Sequence, residues 1–512
     1  MRGCRYMRPG VLLVLLAVLA GAAPAAQAAR RPARTHARAV SPLGHAGRWL
    51  TDGHGRVVIV HGVNMVNKLA PFYPAALGFG NDDAAFLARA GLDAVRVGVL
   101  WQGVEPAPGV YDNAYLARIA QTVRILARHG IYSLLDFHQD LYNQRFQGEG
   151  EPAWAVQDDG LPAVPQLGFP GNYEGMPALQ AAFDNFWNDS PGPGGVGLQE
   201  RYAAAWRHVA ARFARVPGVL GYDIFNEPFP GTTYLTCASS AGCPADDAKL
   251  SAFDRRVDQA IRAADRRTLV FDEPNVLFDF GFPTDVTGPG DRRAGFSFHD
   301  YCLTNEAQGC SSHATVFANA AAHVRATGQA EMLTEFGATN STTDLDSMVA
   351  LADQNMVPWL EWAYCGCGDP TTAGPGTVQA IVIDPAKPPT GSNVEWSTLR
   401  ALVEPYPQVV AGTPLAWGFD RASRRFRLRY STRRAGGRGR FRAGTITTIV
   451  TPRLVYRGRY GARVAGGRIV SRRGAAVLAI ASCPRARTVT VTVAPRLRDR
   501  SGCVSRRPRS AA

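Results

Sequence analysis

The stretch Leu220-Gly-Tyr-Asp-Ile-Phe-Asn226-Glu227-Pro228 is apolar enough for a buried strand and turns abruptly polar at its C-terminal end. A strand with that profile delivers side chains to the mouth of an α/β barrel, the end where barrel sites are assembled. Further along the chain Met332-Leu-Thr-Glu335-Phe-Gly337 repeats the profile. One glutamate at a strand end is ordinarily a salt-bridge or loop partner, but two on matching strands can face one another across a barrel mouth.

Working outward, candidate strands run Val57 to Val66, Ala94 to Leu100, Tyr132 to Phe137, Gly221 to Phe225, Leu269 to Asp272, Gly295 to Phe298, Glu331 to Thr334 and Pro358 to Trp362. Helical periodicity separates them, clearest at Ala114 to Arg128, Glu200 to Arg215, Ala248 to Ala264, Val316 to Ala326 and Leu345 to Gln354. Apolar strands alternating with helices make a parallel sheet, and this number of them favours a closed (β/α)8 barrel. No Gly-x-Gly-x-x-Gly follows the first strand, which weighs against a nucleotide-binding sheet. Glu395 to Val410 reads as the eighth barrel helix. Beyond it come short alternating runs, Phe426 to Tyr430, Thr445 to Thr451, Val477 to Ala481 and Thr488 to Val493, with glycine-rich turns between them, the pattern of a small β-sandwich. The fold class is therefore α/β, a TIM barrel followed by a C-terminal β-sandwich.

Arg2, Arg5 and Arg8 precede an apolar run from Val11 to Ala20, and Ala26-Gln27-Ala28 offers small residues for cleavage. This reads as a secretory signal peptide, with an uncleaved anchor as the alternative. The domain plan is a signal peptide at 1–28, an Arg-rich linker at 29–44, the barrel at 45–412, the sandwich at 413–503 and a disordered tail at 504–512. Without Cys4, the cysteines fall into four local pairs: Cys237 and Cys243, Cys302 and Cys310, Cys365 and Cys367, Cys483 and Cys503. Local disulfides fit an exported chain, although Cys365 and Cys367 are so close that bonding implies strain. No pair has the Cys-x-x-Cys hook of structural zinc.

Residues 415–512 hold 25 arginines, no lysine and only Asp420 and Asp499 as acids, a net of +23 that leaves −9 for the rest of a +14 chain. The chain has just three lysines, Lys68, Lys249 and Lys387, so codon bias accounts for arginine over lysine but not for the missing acids. Attraction to an anionic surface, such as membrane headgroups, is the functional reading. Nothing in the chain has the form of a nucleic-acid motif.

A pair of strand-end carboxylates suits glycosidic bond cleavage: one protonates the leaving oxygen while the other attacks the anomeric carbon or activates water, with no metal or cofactor needed. Other strand ends also turn polar. Arg96 sits inside an apolar second strand, where it needs a carboxylate partner; the third strand ends Asp136-Phe-His138-Gln-Asp140, the sixth His299-Asp-Tyr301 and the eighth Glu361-Trp362.

On these residues the sequence resembles glycoside hydrolase family 5 over roughly residues 45 to 410. The resemblance implies Glu227 as acid/base and Glu335 as nucleophile, with Arg96, His138, Asn226, His299, Tyr301 and Trp362 at the other active-site positions. Within the family, His61-Gly-Val-Asn-Met-Val-Asn-Lys68, Asp136-Phe-His-Gln-Asp140, Phe225-Asn-Glu-Pro-Phe229 and Leu333-Thr-Glu-Phe-Gly337 look like the endoglycoceramidases, where Lys68 and Asp140 match sugar-contacting positions. That resemblance implies retention of anomeric configuration, a glycosphingolipid substrate and carboxyl groups about 5 Å apart. An endoglucanase, or a β-glycosidase acting on glucosylceramide or steryl glucosides, is the alternative within the family; a non-catalytic glycan- or membrane-binding protein is the alternative outside it. The loops Leu69 to Phe79 and Val276 to Phe282, with Trp154, Phe183, Phe186 and Trp187, are unusually apolar. They either build a satellite core or line a cleft for ceramide.

Overall fold

The computed structural model describes residues 40–302, 310, 312–371 and 379–503. The expected leader at 1–28, linker residues 29–39 and the tail at 504–512 lie outside them. Parallel strands β1 (His61–Met65), β2 (Ala94–Val99), β3 (Tyr132–Phe137), β4 (Val219–Asp223), β5 (Leu269–Asp272), β6 (Ala294–Asp300), β7 (Ala330–Phe336) and β8 (Trp359–Glu361) close into a barrel in chain order. The strands are buried along their whole length because helices cover the outside while side chains fill the inside. Helices α1 (Asn81–Ala90), α2 (Asn113–Arg128), α3 (Leu198–Phe213), α4 (Pro244–Ala264), α5 (His313–Thr327), α6 (Thr342–Asn355) and α7 (Trp396–Leu402) form the outer layer. Between β5 and β6 the described structure has a single 3₁₀ turn, Val276–Phe280, instead of a helix.

Local chemistry explains these elements. Asp112 caps α2 by accepting from the Ala114 and Tyr115 amides at 2.8 and 2.9 Å, and the face Tyr115, Leu116, Ile119, Val123 and Leu126 is buried against the barrel. The barrel floor is apolar and includes Leu134, Leu220, Phe271, Met332 and Leu360. Phe271 fits there because its neighbours are Gly221 and Gly295: a Cβ at Gly295 would stand 2.1 Å from the ring and one at Gly221 2.6 Å from it.

Two sheets make the C-terminal sandwich and share a core that includes Tyr406, Trp417, Phe426, Leu428, Ile449 and Val491. One sheet contains Tyr406–Val410, Ile446–Val450, Val477–Ser482 and Gly467–Ile469, and is extended by three strands from before the barrel, Gly44–Ala46, Trp49–Thr51 and Val57–Val58. The other has the order Thr413–Asp420, Arg425–Ser431, Thr488–Ala494, Gly461–Ala465, Arg500–Gly502. The expected strand Val57 to Val66 is thus two strands. Val57 and Val58 pair with Val410 and Val409 of the sandwich, and only His61–Met65 enters the barrel. Both halves are buried, so the apolar run conceals the change of sheet. The expected helix Glu395 to Val410 also divides: Pro405 and Pro407 cannot continue it, and Tyr406–Val410 becomes a sandwich strand.

All four local cysteine pairs are disulfides. No helix among the described residues is long and apolar enough to cross a membrane. At the start of α5, His313 Nδ1 pairs with Asp300 at 2.8 Å and Nε2 with Asp344 at 3.2 Å, tying the end of β6 to α6. Burial opposes charge on this imidazole, but the two carboxylates outweigh it and raise its pKa to about 9. A folded pKa above the unfolded value stabilises fully below about pH 6.5, and that stability is lost as pH rises through 9. The Tm advantage of the native chain over His313→Gln should therefore be largest near pH 6 and shrink by about 2 °C or more by pH 9.5, read by calorimetry; a constant difference would contradict the tie.

Candidate active site

Arg96 projects from β2 into the centre of the barrel and is fully buried. Its Nε donates to Asp223 of β4 at 2.8 Å, and its Nη2 lies 2.7 Å from Glu273 and 2.9 Å from Asp136. Nη1 donates to Glu335, and Nη2 also donates to Asn226 Oδ1 at 2.9 Å. The single carboxylate partner expected for this arginine is in fact four. Burial, then the Glu273 charge, push the Asp223 pKa well up, against the opposing pull of the Arg96 charge and hydrogen bond.

Glu335 lies in β7 just past a bulge. Leu333 pairs with Phe298 and Glu335 with His299, so the extra residue Thr334 re-aims the glutamate toward the site. Tyr301 donates its hydroxyl to Glu335 Oε2 at 2.7 Å, on the oxygen opposite to Arg96's. Across the mouth, Glu227 follows β4 with φ +44°, a left-handed conformation that few side-chain-bearing residues adopt. His299 Nδ1 lies 2.9 Å from Glu227 Oε1. Burial raises the Glu227 pKa, the His299 hydrogen bond pulls it down, and the Glu335 charge raises it again. One carboxylate oxygen of Glu227, one of Glu335 and a ring nitrogen of His299 all lie within 4.8 Å of one another.

A second group adjoins this one through Asp136, which contacts Arg96 with one oxygen and His138 Nδ1 with the other at 2.8 Å. Lys68 Nζ donates to Asp140 and, at 2.8 Å, to Thr371, and lies 3.2 Å from Asp369. Trp362 lies parallel to the His138 ring at 5.2 Å, and the Lys68 ammonium stands 4.5 Å from its ring centre. Although burial disfavours both cations, Asp140, Asp369 and Glu149 hold Lys68 charged, and Asp136 and Asp140 raise the His138 pKa to about 10. Two sets of side chains here have the spacing of metal ligands: His138, Asp140 and Glu149, and Asp136, Asp223 and Glu273. Lys68 and Arg96 stand beside those sets as the compensating cations.

All ten residues singled out in the sequence, Lys68, Arg96, His138, Asp140, Asn226, Glu227, His299, Tyr301, Glu335 and Trp362, thus lie in one connected network. Asn226 uses Oδ1 for Arg96 and one Nδ2 proton for the Gln139 carbonyl at 2.9 Å, which leaves one N–H to offer a ligand. The sequence reading missed Gln139, Asp223, Glu273, Asp369 and Thr371 as members. Asp223 and Glu273 carried the same signal as the others, an acid at the end of an apolar strand. Asp369 and Thr371 come from the loop after β8 and carry none.

The apolar loops divide. Phe186 and Trp187 are buried core residues packed among Trp101, Tyr202, Phe225 and Phe253, and Phe183 is buried against Tyr142, Tyr173 and Phe229, the satellite-core outcome. Phe79 and Phe278 are buried too. Leu69, Ala70 and Pro71 are exposed, and the half-buried Phe72 packs on Val66, Leu100 and Trp362 beside the site.

Residues 55–368 match the family described as Cellulase (glycosyl hydrolase family 5), and residues 405–493 match the Glycoside hydrolase family 5 C-terminal domain. The chain is 30% identical over 462 residues to Endoglycoceramidase I of Rhodococcus hoagii (strain 103S), covering 87% of this chain and 86% of that one. It is 29% identical over 414 residues to Endoglycoceramidase of Cyanea nozakii, covering 74% and 79%. Among solved structures, Endo-glycoceramidase II from Rhodococcus sp. in complex with ganglioside GM3 is 29% identical with a TM-score of 0.69, covering 88% of this chain and 99% of that one. By fold, site and these likenesses, the chain belongs to glycoside hydrolase family 5 and is an endoglycoceramidase-like glycoside hydrolase.

Proposed function

We propose that this enzyme is a secreted, retaining endo-β-glycosidase that hydrolyses the bond between the oligosaccharide and the ceramide of glycosphingolipids. The observation that carries the reading is the approach of one carboxylate oxygen of Glu227 and one of Glu335 to within 4.8 Å, closer to the roughly 5 Å carboxyl separation of a retaining pair than to the roughly 6.5–9.5 Å of an inverting one. Glu335, held by Arg96 and Tyr301, attacks the anomeric carbon as Glu227 gives its proton to the departing ceramide oxygen. The glycosyl-enzyme ester carries no charge at Glu335, so the Glu227 pKa falls, and Glu227 then takes a proton from the water that releases the sugar. Lys68, Asp140, His138 and the free Asn226 N–H bind the sugar next to the scissile bond, His299 positions Glu227, and Trp362 gives the sugar a flat face. Phe72 and the exposed Leu69 to Pro71 supply apolar surface beside that sugar for the lipid, which favours ceramide over a polysaccharide leaving group.

The test is product analysis by mass spectrometry after separate incubation with a lactosylated ceramide, a glucosylceramide and carboxymethylcellulose. Intact lactose plus free ceramide is expected; cleavage of glucosylceramide alone, or of the polysaccharide alone, would overturn the substrate while leaving both glutamates in their roles.

The basic sandwich gives the enzyme an attachment to anionic membrane. On the five-stranded sheet, Arg427, Thr492, Arg463 and Arg500 occupy one rung across four adjacent strands, and the three arginines are exposed. Like charges directly opposite one another, as Arg463 and Arg500 are, repel until anions neutralise them. The triple variant Arg427→Gln/Arg463→Gln/Arg500→Gln should bind phosphatidylglycerol vesicles at least about tenfold more weakly at low salt than the native chain, with the difference closing as salt is raised. Equal binding in sedimentation would assign the arginines no such task.

A further inference from the structure

Glu273 follows β5, is 3% exposed, and touches three parts of the site at once. Its Oε2 accepts the backbone N–H of Glu227 at 2.9 Å. Its Oε1 accepts from Arg96 Nη2 at 2.7 Å and faces His299 Nε2 at 3.4 Å. We propose that Glu273 is a positioning residue for proton transfer: it pins the Glu227 peptide in its left-handed conformation, and its charge keeps His299 a donor at both ring nitrogens. The Nδ1–H of His299 is then directed at Glu227 Oε1, and the transferable proton occupies the other oxygen, toward the leaving group. This deepens the acid/base reading of Glu227 and rests on it.

Two observations support the first half. Glu227 has φ +44°, where a Cβ meets its own backbone, so the peptide has to be held from outside. It is held on both sides: Gln139 Nε2 donates to the carbonyls of Asn226 and Glu227 at 2.9 and 3.1 Å, and Glu273 takes the N–H. Without the Glu273 acceptor this buried N–H would be orphaned and the turn free to relax, carrying the carboxyl away from the scissile oxygen.

The second half follows from charge. His299 faces Glu227 from the end of β4, Glu273 from the end of β5, Asp279 from the 3₁₀ turn, Tyr301 from just past the end of its own strand and Glu335 from β7 at 3.7 Å. Burial alone would discharge the imidazole, but the charges of Glu273 and Glu335 raise its pKa well above 6.5. Neutralising Glu273 removes the first of these charges and lowers the His299 pKa, so the imidazolium is held less firmly. The donor that lowers the Glu227 pKa weakens with it, and Glu227 holds its proton to higher pH.

The experiment compares Glu273→Gln with the native enzyme on lactosylceramide and on 2,4-dinitrophenyl lactoside, whose leaving group needs no proton. Expected are a loss in kcat/KM of at least about 100-fold on the lipid, a loss below about 10-fold on the activated glycoside, and an alkaline limb moved upward by about one pH unit. Equal losses on the two substrates with an unmoved limb would overturn the proposal, as would full activity on both. Glu227→Ala is run alongside. If its kcat/KM, which reports formation of the glycosyl-enzyme, falls equally on both substrates, the acid/base reading fails and the Glu273 proposal with it; a leaving-group effect on kcat/KM in Glu227→Ala without one in Glu273→Gln overturns Glu273 alone. Should the glutamine variant not fold, Glu273→Asp, which draws the carboxylate back from the Glu227 N–H, is judged by the same leaving-group comparison.

Discussion

Glu335→Ala should lower turnover of a lactosylated ceramide by at least about 10⁴-fold, because nothing else in the site stands ready to form the covalent intermediate. The variant should stay folded. Arg96, which loses Glu335, keeps Asp136, Asp223 and Glu273, all within 2.9 Å, so no uncompensated buried cation is created. Glycolipid binding should survive for a related reason: Lys68, Asp140, His138 and Trp362 form a group that does not include Glu335. Stopped assays for activity, calorimetry for folding and a pull-down on glycolipid-loaded vesicles would separate these effects. Turnover within tenfold of the native enzyme would remove Glu335 from the role of nucleophile.

Glu227→Ala should behave differently, and the difference is diagnostic. Removing a general acid costs on the order of 10²–10⁴-fold where the leaving group is a poor one, as a ceramide alkoxide is. An aryl glycoside with a good leaving group should form the glycosyl-enzyme almost as fast as before and then stall, since no base activates the hydrolytic water. Azide needs no base, so adding it should restore turnover and release a β-glycosyl azide. A variant that azide does not rescue, or an α-configured azide, would contradict double displacement with Glu227 as acid/base. The same geometry predicts which pH limb belongs to which group. Glu227 is raised by burial and by Glu335, so loss of its proton sets the alkaline limb, and activity falls as pH rises through its pKa.

Much of this site was legible before any coordinates because a parallel barrel makes position along a strand equivalent to position in space. Every strand runs the same way, so each residue just past a C-terminal strand end arrives at one mouth. Asn226, Glu227, His299 and Tyr301 are readable for that reason. Arg96 was readable on different grounds: an arginine within a fully apolar strand has to find charge. What strand-end position could not convey was how many acids would answer it. Asp223 lies in the very stretch that identifies the barrel, and only the side-chain contacts reveal that it is tied to Arg96 and to Ser297 at 3.0 Å.

Loops and sheet changes carry no such rule. Lys68 meets Asp369 and Thr371 because the loops after β1 and β8 fold together, a juxtaposition of residues far apart in the chain. Aromatic composition alone left Phe183, Phe186 and Trp187 equally suited to a lipid cleft or a core, since both environments are apolar; packing decides for the core. Hydrophobic periodicity reports that a residue is buried, not which sheet buries it, and the chain could therefore move from the sandwich at Val57–Val58 to the barrel at His61–Met65 within one apolar run. By itself the sequence determined the barrel, the two glutamates and the direction in which they face, because alternation and strand-end polarity are local properties. Tertiary structure decided the four-carboxylate surround of Arg96, the bulge that aims Glu335 and the Glu273 contact to Glu227, because each depends on distances between strands that no local pattern encodes.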